Sequence, residues 1–144
     1  MLDAPACAAR AAGGGGVRLP APTLDRVASM LRRIRLPVAI HEVDLHARVA
    51  AQLRNGGVPF EPEYRLGPRE RIDFLTDGGV GIECKRGHPN GPALLRQLER
   101  YAAHREVRAL LVVLPWKKHV SVPDEIGGKP VMTLSLNELW GVAL

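Results

Sequence analysis

The stretch RIDFLTDGGVGIECK, residues 71–85, decides the fold of this chain. Two segments rich in Ile, Phe, Leu and Val flank residues 77–79, whose Asp-Gly-Gly sequence is typical of a β-hairpin turn. Three charged side chains, Asp73, Glu83 and Lys85, interrupt these apolar segments. Burying a charge in an apolar sheet costs free energy unless the charge is paired or binds a metal ion. The three residues are therefore the first candidates for a functional site.

The length of the turn decides which side chains share a face of the hairpin. A three-residue loop over residues 77–79, ending with a glycine in the left-handed region, is a common hairpin connection. It places Phe74 opposite Ile82 and Asp73 opposite Glu83, whereas a two-residue loop would point the two carboxylates to opposite faces. We therefore predict one face with the two carboxylates and the lysine. The other face is predicted to carry the apolar side chains of Ile72, Phe74, Ile82 and Cys84.

Composition limits the class of protein. The chain has 144 residues, 46% of them hydrophobic, which is enough for one globular domain with a substantial core. The net charge of +5 comes mostly from arginine, which favours a nucleic-acid partner. Two distant cysteines form no disulfide framework or zinc-binding pattern. Because no apolar run can span a membrane and residues 1–20 lack a secretory signal, we expect a cytoplasmic protein without a membrane partner.

The periodicity of apolar residues predicts an alternation of helices and strands. Residues 1–22, rich in Ala, Gly and Pro, predict a flexible leader, and residues 23–144 are expected to form a single domain. Helices are predicted, beginning with a basic N-terminal one, over residues 24–35, 38–54 and 93–104, with a final helical turn at 135–138. Strands are predicted over residues 60–66, 69–76, 80–86, 107–114 and 130–135. This order predicts a mixed α/β sheet, antiparallel in the hairpin and parallel across the third helix.

The charged residues of the hairpin suit metal-assisted hydrolysis of phosphodiesters. Mg²⁺ needs only one or two carboxylates besides water and phosphate oxygens. Asp73 and Glu83 can supply them, together with the backbone carbonyl of Cys84. A bound Mg²⁺ would polarise the phosphate and lower the pKa of a bound water, and Lys85 can orient that water or stabilise developing charge. Glu42, on the second predicted helix, is expected to project toward the same face and to add a ligand.

These residues, in this order, resemble the signature of the PD-(D/E)xK nuclease superfamily. The resemblance extends over residues 40–115 and comprises a helix with a glutamate, the Asp73 strand, the E-x-K strand and a following helix. Residues 97–101 of that helix, QLERY, are similar to the Q-x-x-x-Y motif of the RecB-like branch. Ile72 stands where the name motif has proline. The resemblance implies a restriction-endonuclease-like core, with helices flanking a mixed β-sheet in the order αβββαβ.

The resemblance also implies a role for each site residue. Asp73 and Glu83 would bind Mg²⁺, for which Mn²⁺ can substitute, Lys85 would be the catalytic lysine, and Glu42 an accessory carboxylate. On the helix after the hairpin, Gln97 and Tyr101 would support the site or contact the nucleic acid. Apart from the resemblance, Arg96 and Arg100 lie on a charged face of that helix that would flank the site, and they are further candidates for these roles. The resulting hypothesis is a Mg²⁺-dependent nuclease that cleaves DNA.

Several alternatives stay open at this point. The chain can be a binding or assembly module that keeps the nuclease fold without the activity, a structure-selective resolvase, or a nuclease acting on RNA. Resolvases of this fold act as dimers, so a homodimer is a further expectation to test. Glu42 can simply be an acid favoured near a helix N-terminus, and Tyr101 a core residue. The sequence does not distinguish endonuclease from exonuclease.

Overall fold

The computed structural model describes residues 22–36, 42–87, 89–115 and 120–136, without the side chains of Glu42 and Val43. Within these ranges, the helices are α1 (Leu24–Leu31), α2 (Glu42–Asn55) and α3 (Gly91–Ala102). The strands are β1 (Phe60–Gly67), β2 (Glu70–Thr76), β3 (Val80–Cys84), β4 (Ala109–Leu114), β5 (Glu125–Ile126) and β6 (Lys129–Ser135). The predicted leader, apart from residue 22, and residues 137–138 of the predicted final turn lie outside the described residues. No helix in the described ranges has the length and apolar character that crossing a membrane requires.

The strands form one mixed sheet in the order β1-β2-β3-β4-β6-β5. Strands β1, β2 and β3 are antiparallel neighbours, as a meander of short connections requires. Strand β4 lies parallel to β3, and β6 lies parallel to β4. The chain between β3 and β4 passes through α3, as predicted for a parallel crossover. The predicted class, an α/β protein with a mixed sheet flanked by helices, is confirmed; the short strand β5 was not predicted.

Helices cover both faces of the sheet. Helices α1 and α2 pack on one face through a core that includes Val27, Leu45 and Val49, and α3 packs on the other through Leu94 and Leu98. Strand β4 is buried along its whole length, with alternate side chains in the two cores, as its continuous apolar sequence predicted. Each fully buried Leu or Val contributes about 1.5–3 kcal/mol relative to an exposed side chain.

The turn between β2 and β3 has the predicted length of three residues. Gly79 has a φ of +87°, in the left-handed region, and its N–H donates to the Thr76 carbonyl at 2.9 Å. The Val80 N–H donates to Thr76 Oγ1 at 3.0 Å, so the Thr76 side chain also links the two ends of the loop. Phe74 lies opposite Ile82. The register that the turn predicted is therefore confirmed.

The faces of the hairpin differ from the prediction around Asp73. Phe74, Ile82 and Cys84 pack in the core beneath α1 and α2, as predicted. Ile72 was predicted to share their face, and this prediction is wrong, because Ile72 packs in the core on the α3 side. Residues two apart on a regular strand share a face. Strand β2 therefore loses its alternation at Asp73, which lies between Ile72 and Phe74.

A matching irregularity lies on the neighbouring strand. Glu63 of β1 has a φ of +50°, although it is not a glycine. The next residue, Tyr64, lies opposite Ile72, so Glu63 is beside the irregular position of β2. A residue held in this region costs about 1–3 kcal/mol, and such strain is often found at functional sites. The distortion of the two strands is thus centred on Asp73.

The turn geometry predicts a specific effect of adding a methyl group to Gly79. Gly79→Ala should lower the free energy of unfolding by about 1–2 kcal/mol, because alanine disfavours a positive φ. Its new Cβ would also lie 2.8 Å from Arg108 Cγ. Urea unfolding of the variant measures the effect. Gly91→Ala is the control, since its Cβ meets no atom within 4 Å. Equal stability of the two variants would contradict the turn geometry.

Candidate active site

Asp73 joins the two strands of the hairpin through its side chain. Its Oδ2 accepts a hydrogen bond from the Cys84 N–H at 2.7 Å, just beyond the paired residues Phe74 and Ile82. The Asp73 carboxylate is therefore held at Cys84, the last residue of β3 and the sequence neighbour of Glu83. A hydrogen bond to an ionised acceptor is stronger than one between neutral groups. The predicted proximity of the two acidic residues thus depends on a contact between side chain and backbone.

Glu83 is almost fully buried and has a partner for each carboxylate oxygen. Lys85 Nζ lies 3.2 Å from Glu83 Oε2, and the Tyr101 hydroxyl lies 3.2 Å from Glu83 Oε1. The backbone N–H of Lys85 donates to the Val113 carbonyl at 2.9 Å, so the chain stays hydrogen-bonded to β4 beyond Cys84. The predicted neighbours Glu83 and Lys85 are therefore in direct contact, and α3 contributes to the same carboxylate.

Gln97 and Tyr101 of α3 act together on this carboxylate. Gln97 Nε2 donates to the Tyr101 hydroxyl at 2.9 Å, as their spacing of one helical turn allows. The hydroxyl lies 3.0 Å from the Arg71 carbonyl as well as near Glu83. A phenol has one proton to donate, so these two acceptors share it. The structure brings both predicted residues to the carboxylate, Gln97 through Tyr101.

The sequence analysis missed His46, on the α2 side. His46 Nε2 is buried and lies 3.4 Å from Asp73 Oδ2. Its Nδ1 lies 3.9 Å from Glu63 Oε2, and its ring packs edge-on against Phe74 with centroids 5.7 Å apart. His46 follows Glu42 by four residues, a spacing that puts both on one helix face. That spacing was the signal that could have identified it.

Other predicted site residues are less directly involved or lie outside the description. Helix α2 begins at Glu42, but its side chain is not described, so its role as a ligand stays a prediction. Arg96 is exposed on α3. Arg100 is exposed too, and its Nε lies 2.6 Å from Glu70 Oε2. Any contact of Arg100 with a nucleic acid would therefore compete with this ion pair. Glu70 also contacts His104 at 3.0 Å, which holds its pKa below the usual value.

Burial disfavours the charged forms of both site carboxylates. Burial, and then the nearby charge of Asp73, raise the pKa of Glu83 to about 7, against the opposing effects of Lys85 and Tyr101. Burial likewise raises the pKa of Asp73, which the Cys84 N–H and His46 partly offset. Burial and the charge of Glu83 raise the pKa of the Tyr101 phenol, so Tyr101 stays a hydrogen-bond donor. A cation between the carboxylates would relieve this cost.

Among the described residues, two clefts open beside the site. One, of about 390 Å³, opens beside Asp73 and is lined by Glu63, Arg65, Arg69, Glu70 and Arg71. The other, of about 300 Å³, opens beside Lys85 and the start of α3. A larger cleft of about 710 Å³, between α1 and the end of α2, contains none of the site residues. The size of that cleft is not evidence of function, because the reactive groups lie beside the two smaller ones.

Donor atoms for a cation fall into two sets that share Asp73. The first is the predicted pair of carboxylate oxygens from Asp73 and Glu83, which are hard donors. The second is mixed, because His46, Asp73 and Cys84 offer ligand atoms that all lie within 4.8 Å of one another. Comparisons of the chain with protein-family models, with curated proteins and with solved structures find no match. The function is therefore inferred from the chemistry of the site.

The raised pKa of Glu83 predicts how stability depends on pH without metal. Between the usual pKa of 4.5 and the folded pKa of about 7, the folded state binds more protons than the unfolded state. The free energy of unfolding should thus fall as pH rises through this window, by about 3 kcal/mol from this group. Glu83→Gln removes the effect and should stabilise the protein at pH 8.

Denaturant unfolding in chelator at pH 5 and pH 8 measures this dependence. Glu99→Gln, an exposed position on α3, is the matched control and should behave like the wild type. If the free energy of unfolding changed equally in Glu83→Gln and in the wild type between the two pH values, Glu83 would not have the raised pKa.

Proposed function

We propose that this protein is a divalent-metal-dependent nuclease that hydrolyses phosphodiester bonds in DNA through Asp73, Glu83 and Lys85. The observation that carries the proposal is the meeting of the buried Glu83, the half-buried Asp73 and Lys85 at the end of one hairpin. The run α2-β1-β2-β3-α3-β4 has the αβββαβ order of a restriction-endonuclease-like core, and this order supports the proposal.

Mg²⁺ would suit the oxygen set, because it prefers carboxylate oxygens and because the nearby cations do not restore the usual pKa values of the two carboxylates. Asp73 and Glu83 would hold the ion, and the Cys84 carbonyl and Glu42 are further predicted ligands. Mn²⁺ prefers the same oxygen ligands as Mg²⁺ and would substitute for it here. When bound, the ion supplies charge that polarises a phosphodiester and makes water a stronger acid.

Lys85 provides the fixed positive charge of the site. Its ammonium group is held 3.2 Å from Glu83 Oε2 and is partly open to the cleft beside α3. A cation in this position stabilises negative charge that develops on a phosphate, or orients an attacking water. Tyr101 holds the other oxygen of Glu83, and Gln97 holds the Tyr101 hydroxyl. This chain of contacts keeps the carboxylate in one orientation.

Arginines beside Asp73 provide a surface for the DNA backbone. Arg65, Arg69 and Arg71 line the cleft next to Asp73. Guanidinium groups bind phosphates in a bidentate manner, and the net charge of +5 favours a polyanion. Arg71 also contacts Glu63 Oε1 at 2.8 Å, so it is partly oriented before DNA binds.

A panel of plasmid, linear, branched and single-stranded DNA, with Mg²⁺, Mn²⁺ or chelator, tests the proposal. Asp73→Asn and Lys85→Met should each lower the cleavage rate by at least about 10²-fold, as loss of a charge-stabilising group does. Asp77→Asn, an exposed position in the turn of the same hairpin, should cleave like the wild type.

Circular dichroism and thermal unfolding would confirm that the variants remain folded. The proposal fails if the wild type cleaves none of these substrates in a metal-dependent way, or if Asp73→Asn keeps its activity. DNA binding that persists unchanged in chelator, without any cleavage, would favour the non-catalytic binding module instead.

The contact between α3 and Glu83 predicts a smaller effect for Tyr101→Phe. Groups that orient a metal-binding side chain typically contribute about 10–100-fold to affinity or activity. Tyr101→Phe removes the hydroxyl but keeps the ring, so we expect an activity loss in this range and a higher Mg²⁺ requirement. Cleavage rates across a Mg²⁺ titration measure both. An unchanged Mg²⁺ requirement would show that the hydroxyl does not orient Glu83.

A further inference from the structure

A second set of donor atoms lies on the α2 side of Asp73. His46 comes from α2, Asp73 from β2 and Cys84 from the last position of β3, so three separate elements contribute one group each. Their ligand atoms all lie within 4.8 Å of one another. The set differs in kind from the Asp73 and Glu83 oxygens, because it combines an imidazole nitrogen, a carboxylate oxygen and a thiol sulfur.

The spacing of these atoms suits a four-coordinate cation. Tetrahedral Zn²⁺, with bonds of about 2.0–2.2 Å to nitrogen and oxygen, holds these donors roughly 3.3 Å apart. His46 Nε2 and Asp73 Oδ2 are 3.4 Å apart. A Zn–S bond of about 2.3 Å places the sulfur roughly 3.6 Å from the other two donors, and the Cys84 sulfur lies within 4.8 Å of both. Three protein ligands would leave the fourth position for water or substrate.

The burial of the three residues leaves one side of the set accessible. Cys84 is 2% exposed and packs in the core beneath α1 and α2. The side chains of His46 and Asp73 are 22% and 16% exposed. His46 Nε2 is itself buried, so an ion would have to approach from the side of the Asp73 carboxylate and meet the thiol at the closed end. On binding, the thiol releases its proton to the solvent and the sulfur donates its electron pair to the ion.

We propose that His46, Asp73 and Cys84 form a site for a thiophilic divalent cation of the Zn²⁺ class, and that its occupation withdraws Asp73 from Mg²⁺. Thiolate and imidazole ligands select Zn²⁺ and related ions, whereas Mg²⁺ prefers oxygen. Both cations need Asp73, so they compete. Binding is independent of the proposed nuclease function; the inhibition that follows from competition rests on it.

Optical titration with Co²⁺ and Cd²⁺ tests the site without any DNA. The chain has two cysteines, so the full-length Cys7→Ser protein leaves Cys84 as the single thiol. We expect one equivalent of either ion to produce a thiolate-to-metal charge-transfer band, with tetrahedral ligand-field bands for Co²⁺. Cys84→Ala should abolish the charge-transfer band. His46→Gln and Asp73→Asn should each weaken binding by at least about tenfold, as loss of one of three ligands requires.

Two results would overturn the site. The first is the absence of a charge-transfer band when the folded Cys7→Ser protein meets excess Cd²⁺. The second is a band whose affinity is unchanged in both His46→Gln and Asp73→Asn, because that would be binding to the thiol alone. Thermal unfolding of each variant without metal checks that the fold is retained, and His46→Gln on α2 tests the site even if Cys84→Ala is unstable.

Zn²⁺ inhibition of Mg²⁺-dependent cleavage tests the competition. The Cys7→Ser protein should be inhibited at a Zn²⁺ concentration at least about tenfold lower than Cys7→Ser with Cys84→Ala. Equal inhibition of the two would reject the competition. A charge-transfer band without any DNA cleavage would reject the proposed function and support the site, whereas cleavage without a band would do the opposite. The two proposals therefore fail separately.

Discussion

The hydrogen bond from the Cys84 N–H to Asp73 Oδ2, 2.7 Å long, is the interaction on which the rest of the site depends. It takes the place of a backbone hydrogen bond between the strands at the end of the hairpin. It also holds the Asp73 carboxylate at the residue that follows Glu83. Hydrogen bonds to charged groups contribute about 1.5–3 kcal/mol, enough to offset part of the cost of burying Asp73. This carboxylate contacts His46 and Cys84, and Glu63 lies beside it on the neighbouring strand.

The burial of charged groups makes the site energetically costly without a bound cation and favours the binding of one. The pKa values of Asp73 and Glu83 are raised by burial and, for Glu83, by the charge of Asp73. Lys85 and Tyr101 each hold one oxygen of Glu83, but they do not cancel this cost. A bound cation would do so, and its binding energy would then be coupled to folding. Which ion binds would depend on the ligands that act together with Asp73. Glu83 would favour a hard ion, whereas His46 and Cys84 would favour a thiophilic one.

Much of this arrangement follows from local sequence, and some of it does not. The loop of residues 77–79 determined the pairing of Phe74 with Ile82, because turn length sets register. The side on which Ile72 packs could not be predicted, because the positive φ of Glu63 and the loss of alternation at Asp73 arise from contacts between strands. His46 was missed although it follows Glu42 by four residues, because the sequence does not show that the packing of α2 on the sheet brings it to Asp73.

The most direct test of the central claim is to locate Mn²⁺ by anomalous diffraction in crystals of the protein grown or soaked with the ion. If the hairpin forms the metal site, an anomalous peak should lie within bonding distance of carboxylate oxygens from both Asp73 and Glu83, and it should disappear in Asp73→Asn. A Mn²⁺ ion bound elsewhere, with neither carboxylate as a ligand, would contradict the account.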